Sequence, residues 1–371
     1  MTKINILSQG RFHMLDLARE LDHTGFDIKF YSFIPTSRCI KFGLQKKCIV
    51  SLFGIIAPFL ILRRIFPKLS WIHIKVQDFI MGIFMRKCDI CISLTGYVYA
   101  PRIAQKKGAI IIMERGSKHI LEQKKILEKN PHKKNEAIPN RNIKCNLKAY
   151  QFANFISVAS QHVKESFLLH QYPENRIFVN PYGVDLSMFK PLPNIPKKYD
   201  VIMVGGWGYE KGCDLIVEAI RKTNYSFIHV GSIKDVDFPQ EKNFTHIDPV
   251  DQSKLIEYYN QAKVFILPSR QDGFGMVLSQ ALACNLPIIG SNNCGAPDLK
   301  KMVELPEYIT IIKDYTADAI VTAIHTAIKN YEQLGERIYA GNAIENLTWE
   351  AYGKRYANFL QKNNRFFVIG W

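Results

Sequence analysis

Short apolar runs alternate with stretches of helical periodicity from one end of the chain to the other, and this limits the fold more than any other feature. Residues 4–7, 28–31, 90–93, 109–113 and 155–158 read as buried strands in the first half. Residues 201–204, 227–230, 264–267, 286–289 and 309–312 do so in the second. Between them lie amphipathic segments such as 213–222, which place Leu215, Ile216, Ala219 and Ile220 on one face. Continuous apolar strands separated by helices predict parallel sheets covered on both faces. The 371 residues exceed one core of roughly 100–200 residues, so two doubly wound domains in series are expected. Such sheets hold ligands beyond the carboxyl ends of their strands. The Pro191, Pro193 and Pro196 cluster marks a boundary around residues 185–198.

Charge divides the chain in the same place. Residues 1–185 hold 29 Lys and Arg against 13 Asp and Glu, whereas the remainder holds 20 of each, so the first half carries the entire net +16. An excess confined to one half points to a polyanion, a membrane surface or a plain solvated basic face. Nucleic acid is set aside, because the basic residues lack interleaved aromatics and no recognition motif occurs. The apolar stretch 49–62 with Arg63 and Arg64 behind it is too short to span a bilayer. It fits either an interfacial segment or a buried helix or hairpin. Lys124, Lys125, Lys129, Lys133, Lys134 and Arg141 read as a basic loop, and the apolar end 365–371 as a docked or membrane-touching tail. The eight cysteines are scattered and follow no secretory signal, which suits free thiols in a reducing cytoplasm; Cys88 and Cys91 have CxxC spacing but read as strand packing.

Two glycine-rich turns carry the chemistry. The first runs Val201-Ile-Met-Val-Gly-Gly-Trp-Gly-Tyr-Glu-Lys-Gly212. Gly205, Gly206 and Gly208 let backbone approach a ligand, and a following helix with Lys211 offers positive charge to a diphosphate. The pattern is neither a P-loop nor a dinucleotide fingerprint. In the second, a strand ends at Pro268-Ser269 and a loop presents Asp272, Gly273, Phe274 and Gly275 before a helix that carries Gln280. Asp272 can accept from sugar hydroxyls and Gln280 can bond a ribose diol.

On these residues, together with Pro181-Tyr-Gly-Val-Asp185, the chain resembles the family 4 glycosyltransferases, retaining enzymes of the two-Rossmann GT-B fold. The resemblance implies a basic acceptor-binding domain over 1–190, a nucleotide-sugar-binding domain over 191–345, and a helix and tail over 346–371 that pack back on the first. It implies a UDP- or GDP-linked donor held by Gly205, Gly206, Lys211, Asp272, Gly273, Phe274, Gly275 and Gln280, with no metal and no other cofactor. Lys211, Asp272 and His119 are then the catalytic candidates, and Gly10 and Glu114 line the acceptor side, with Glu114 alternatively buried opposite Arg115 or Lys118. The sequence departs from the family in having Gly206 where an arginine usually grips the diphosphate, with Arg270 a candidate substitute. Asp272 and Gln280 stand where the family has paired glutamates. The expected product is a surface glycan such as lipopolysaccharide, built on a saccharide or lipid-linked acceptor at the inner face of an anionic membrane. A non-catalytic nucleotide-sugar-binding subunit is the alternative, and an epimerase a weaker third for want of a second acid pair.

Overall fold

The computed structural model describes residues 1–66, 72–132, 138–334 and 341–363. Among the described residues, thirteen strands form two all-parallel sheets. In the first lobe they are β1 (Lys3–Leu7), β2 (Asp27–Ser32), β3 (Ile49–Ser51), β4 (Ile90–Leu94), β5 (Ile110–Arg115), β6 (Phe155–Val158) and β7 (Ile177–Val179), in the order β3-β2-β1-β4-β5-β6-β7. In the second they are β8 (Tyr199–Val204), β9 (Phe227–Val230), β10 (Phe244–Ile247), β11 (Ala262–Leu267), β12 (Ile288–Ser291) and β13 (Ile309–Ile312), in the order β10-β9-β8-β11-β12-β13. Both lobes therefore reverse strand order beside their first strand, at β1/β4 and β8/β11. Each reversal opens a crevice at the carboxyl ends, where Gly10, Gly205 and Asp272 follow their strands.

All the strands expected from apolar runs are present. The strands without such a run, β3, β7 and β10, each lie at a sheet edge and are mostly half-buried, so they needed no unbroken apolar sequence. Cys88 and Cys91 are free, buried thiols packed in the first lobe.

The return helix Trp349–Lys362 follows Thr348, whose hydroxyl accepts from the Ala351 N–H at its first turn. It buries Tyr352, Tyr356 and Leu360, each side chain contributing about 1.5–3 kcal/mol. It packs against helix Phe12–His23 of the first lobe, and a β-carbon on Gly353 would overlap the Glu20 side chain. Arg355 donates to Asn180 Oδ1 and to the Pro181 carbonyl, both at 2.8 Å. The Val184 N–H donates to the Leu347 carbonyl at 2.7 Å, so the chain's two crossings between lobes are laced together.

The 49–62 stretch is neither a buried helix nor a hairpin. After β3 the chain forms helix Phe53–Ile65, of which Ile56 is the buried residue. Phe53, Ile55, Ile61, Leu62, Ile65 and Phe66 are exposed, because their helix sits on the outside of the sheet rather than between layers. The basic stretch from Lys124 is also corrected. Lys124 and Lys125 lie in helix Ile120–Leu127 and Arg141 in helix Asn140–Phe152, while Lys133 and Lys134, like the tail 365–371, lie outside the described residues.

Candidate active site

Both glycine turns of the second lobe reach one place. Beyond β8, Gly205 adopts φ +129°, a conformation open to glycine. Its carbonyl accepts from His229 Nε2 at 2.8 Å, and burial pushes the His229 pKa down to about 4. A tight turn carries the chain through Gly208 to Lys211, whose Nζ lies 2.6 Å from Asp272 Oδ2 in the loop after β11. Burial acts to lower the Lys211 pKa, but Asp272 and Glu210 outweigh it and raise it, so the ammonium stays charged. The two principal site residues of the sequence reading are thus in contact.

The glycine turn is less free to bind an anion than its sequence suggests. The Trp207 N–H donates to the Ser232 carbonyl, and the Tyr209 N–H donates to Asp235 Oδ1 at 2.9 Å. Among the described residues no partner is recorded for the N–H groups of Gly206, Gly273 and Gly275, nor for those of Met276 and Val277 in the first turn of helix Met276–Ala283. That helix follows Gly275 at φ +77°. Its positive end therefore adds an anion seat beside the glycine turn. Gln280 lies one turn on; its Oε1 accepts from the buried Tyr259 hydroxyl at 3.0 Å, and the residue lines the cavity between the lobes.

Arg270 does not replace the missing arginine. It makes a bidentate pair with Asp214 at 2.6 and 2.7 Å and stacks over Tyr209. The space belongs to Lys234, from the loop after β9. A β-carbon on Gly206 would overlap Lys234 Cε and lie 2.8 Å from its Nζ. The cation at the glycine turn thus comes from a neighbouring loop, which no local motif could have indicated.

Loops from the first lobe meet this site. A β-carbon on Gly273 would overlap the Gly116 carbonyl, so Gly273 is one place where the two lobes touch. Lys118 Nζ donates to Asn293 Oδ1 at 2.7 Å, Gln271 donates to Ser117, and Ser160 Oγ donates to the Gly273 carbonyl at 2.6 Å. Phe274 is buried and packs edge-on against Tyr182. A cavity of about 350 Å³ lies between the lobes, lined by Arg11, His13, Asp185, Gln252 and Gln280 among others. Arg11 donates to Gln252 across it at 2.9 Å. At its mouth Phe12 has φ +37°, strain of the kind that gathers at functional sites. Gly10 precedes this turn, and its carbonyl accepts from the Ser8 hydroxyl.

Two first-lobe candidates are placed differently from expectation. Glu114 does not face Arg115 or Lys118. It accepts from the Tyr356 hydroxyl at 2.7 Å and contacts His13 Nε2 at 3.1 Å, because β5 ends against the return helix. His13 in turn stacks on Tyr182 with ring centres 4.4 Å apart. The His119 ring is buried within the first lobe and makes no recorded contact with Lys211 or Asp272. It caps helix Ile120–Leu127 through Leu121 N–H and stacks on His170 at 4.0 Å, between Tyr150 and Phe167. Burial pushes its pKa down to about 3, which keeps the capping nitrogen an acceptor. The histidine whose surroundings include Asp272 is His162, pushed down to about 4 by burial and by Lys118. Sequence reasoning passed over it because nothing in the pattern around residue 162 marks it.

Residues 187–343 match the family described as glycosyl transferases group 1. A probable sucrose-phosphate synthase from Thermosipho melanesiensis is 26% identical over 58% of this chain and 56% of its own length. A GDP-mannose-dependent alpha-(1-6)-phosphatidylinositol monomannoside mannosyltransferase from Mycolicibacterium smegmatis is 23% identical over 56% of this chain and 62% of its own. The matches thus span little more than half of these curated relatives. Among solved structures, HepE from Anabaena in complex with UDP and glucose superposes with a TM-score of 0.68 at 13% identity, covering 97% of this chain and all of that one. Both lobes and their relation follow that two-Rossmann architecture, the GT-B fold.

Proposed function

This chain carries a group 1 glycosyl transferase domain at residues 187–343, and on that premise we propose that it transfers a sugar, with retention, from a UDP- or GDP-linked donor to a saccharide or lipid-linked acceptor. One observation carries the reading. Lys211 and Asp272 lie 2.6 Å apart at the carboxyl ends of β8 and β11, beside Lys234 and the partnerless amides of helix Met276–Ala283. A donor seated there puts its diphosphate on the cations and amides and its sugar hydroxyls on Asp272. The bond from the anomeric carbon to the phosphate oxygen breaks with its electron pair left on the diphosphate. Lys211, Lys234 and the helix end oppose that growing charge without rearranging. The acceptor hydroxyl joins the anomeric carbon on the face the phosphate leaves, and its proton passes to a phosphate oxygen.

Support for either base comes from the relatives: one is named for GDP-mannose and one neighbour was solved with UDP. The basic first lobe suits an acceptor presented at an anionic membrane, in the synthesis of a surface glycan such as lipopolysaccharide, with the enzyme peripheral on the cytoplasmic face. No helix of the described residues is long and apolar enough to cross a membrane. A nucleotide-sugar panel screened by thermal shift on the parent and on Lys211→Ala tests the donor site. A donor-specific rise that the substitution abolishes supports it, and a rise that survives the substitution puts the diphosphate elsewhere. The second reading, a donor-binding subunit without turnover, is favoured by Gly206 in place of arginine. It requires that a donor which raises Tm is neither hydrolysed nor transferred.

A further inference from the structure

A second cavity is not between the lobes. It has a volume of about 740 Å³ and lies wholly in the first lobe, among helices His73–Phe84, Tyr99–Lys106 and Asn140–Phe152 and beyond the carboxyl end of β4 at Gly96. Lys75, Arg102, Lys106, Arg141 and Lys148 line it. These three helices contain six Lys and Arg and one acid, Asp78. Asp78 is already used: its carboxylate accepts the N–H groups of Val98, Tyr99 and Ala100 at 2.7–2.8 Å and so caps the middle helix. Among the described residues, Arg102, Lys106, Arg141 and Lys148 therefore bring positive charge to the cavity with no carboxylate of its own helices left to neutralise it.

One wall is apolar and continues onto the surface. Ile74, Phe79 and Tyr99 line the cavity and are also exposed, with the Tyr99 ring resting on Gly82. Of the 17 large apolar side chains exposed among the described residues, ten lie between Phe53 and Phe84, on helices Phe53–Ile65 and His73–Phe84 and just after the first. At its inner end the cavity reaches Asn146, whose Oδ1 accepts from Arg115 Nη1 at 3.1 Å. Arg115 ends β5 and precedes Gly116, the residue against which Gly273 of the donor loop packs.

We infer that this cavity holds the phosphate or diphosphate of a long-chain lipid that carries the acceptor saccharide. The lipid chain leaves across the apolar face of helices Phe53–Ile65 and His73–Phe84, and the saccharide is directed toward the crevice. The inference rests on the transferase reading for its acceptor and adds the class of acceptor and its seat. Charge selects the occupant, since a neutral saccharide has no use for the cations of Arg102, Lys106, Arg141 and Lys148. The exposed apolar face selects against a free sugar phosphate, which would leave it in water.

The full-length protein is titrated with phosphatidylcholine vesicles that carry either a polyprenyl phosphate or phosphatidylglycerol at equal surface charge. The expected result is binding roughly tenfold or more tighter to the polyprenyl phosphate vesicles, because the phosphate is enclosed rather than merely attracted. Arg141→Gln with Lys148→Gln, both exposed and with no recorded polar partner among the described residues, should erase that preference while leaving Tm and donor-induced thermal shift unchanged. Ile61→Ser with Ile65→Ser should weaken both vesicle types. Equal binding to the two vesicles, or an equal loss on both with the cation variants, would reduce the cavity to a basic surface and overturn the inference. Displacement by inorganic phosphate without any lipid preference would assign a free-phosphate site and overturn it too. Loss of the donor shift in every protein would defeat the transferase reading while leaving vesicle preference intact, so the two failures are distinguishable.

Discussion

The two lobes share a strand order and differ in what they do with charge and apolar surface. The second lobe pairs the charges at its crevice with one another: Lys211 holds Asp272 and Arg270 holds Asp214. The first lobe leaves much of its positive charge facing water and exposes a face of large apolar side chains between residues 53 and 84. One topology thus yields a crevice whose charged side chains are paired with one another in one copy and an open amphiphilic surface in the other. The fold fixes where ligands sit. Which ligand sits there is decided by what each lobe leaves unsatisfied.

The sharpest way to break the contrast is to remove the second lobe's central cation. Lys211→Ala should lower turnover of a nucleotide-sugar donor by about 10²–10³, the scale seen when one preorganised donor to a developing oxyanion is lost. Vesicle binding by the first lobe should not change. Donor consumption followed by released nucleotide checks the first half, and a fall in vesicle affinity would show that the lobes do not divide their work.

Lys234 offers a graded version of the same test. A charge-assisted contact to phosphate contributes about 1.5–3 kcal/mol, so Lys234→Ala should raise donor KM by roughly ten- to a hundredfold. Gly206→Arg alone puts a side chain where Lys234 already lies and should not improve the enzyme. In combination with Lys234→Ala, Gly206→Arg has room and should recover most of the lost affinity. Unchanged KM in Lys234→Ala would mean that the glycine turn manages with Lys211 and backbone amides.

The link between lobes is expected to respond less. Tyr356→Phe removes the hydroxyl that donates to buried Glu114, leaving that carboxylate with His13. A cost of about 1–3 kcal/mol follows. The unfolding midpoint should fall by several degrees with donor KM little altered. A large KM effect without a fall in midpoint would make Glu114 a ligand-facing residue instead.

How much of this was legible follows from what sequence can encode. Central strands are buried on both faces, so β1, β4, β8 and β11 announced themselves as apolar runs. Edge strands β3, β7 and β10 are half-covered and did not. Lys211 and Asp272 were readable because each lies in a glycine turn at the end of a strand. Lys234 was not, since its relation to Gly206 is made by two loops from different strands. His119 looked like a site histidine by its place after β5, yet its ring turned into an aromatic pocket as a helix cap, a choice made by Phe167 and His170 far along the chain. Residues 49–62 were ambiguous for a physical reason: an apolar helix facing lipid and one facing a core have the same composition.

Buried titrating groups give the smallest and most selective comparison. In the first lobe, burial holds the His119 pKa at about 3 against an ordinary 6.5. The unfolded chain then binds more protons between those values, so the stability His119 contributes is full above pH 6.5 and is lost as pH falls toward 3. In the second lobe, burial raises Asp298 from 3.8 to about 6, against the pull of the Gln161 N–H. Here the folded chain binds more protons, so stability declines as pH rises from about 4 to 6 and stays lower above. The two signs oppose each other across one pH window. His119→Phe should flatten the acid limb of a melting-temperature profile, while Asp298→Asn should steepen it and raise the midpoint at pH 7. Asn keeps an acceptor for the Gln161 N–H and sheds the buried charge. If Asp298→Asn instead lowers the midpoint at pH 7, the Gln161 N–H favours the ionised carboxylate over a neutral acceptor by more than burial penalises it, and the contact between lobes outweighs desolvation.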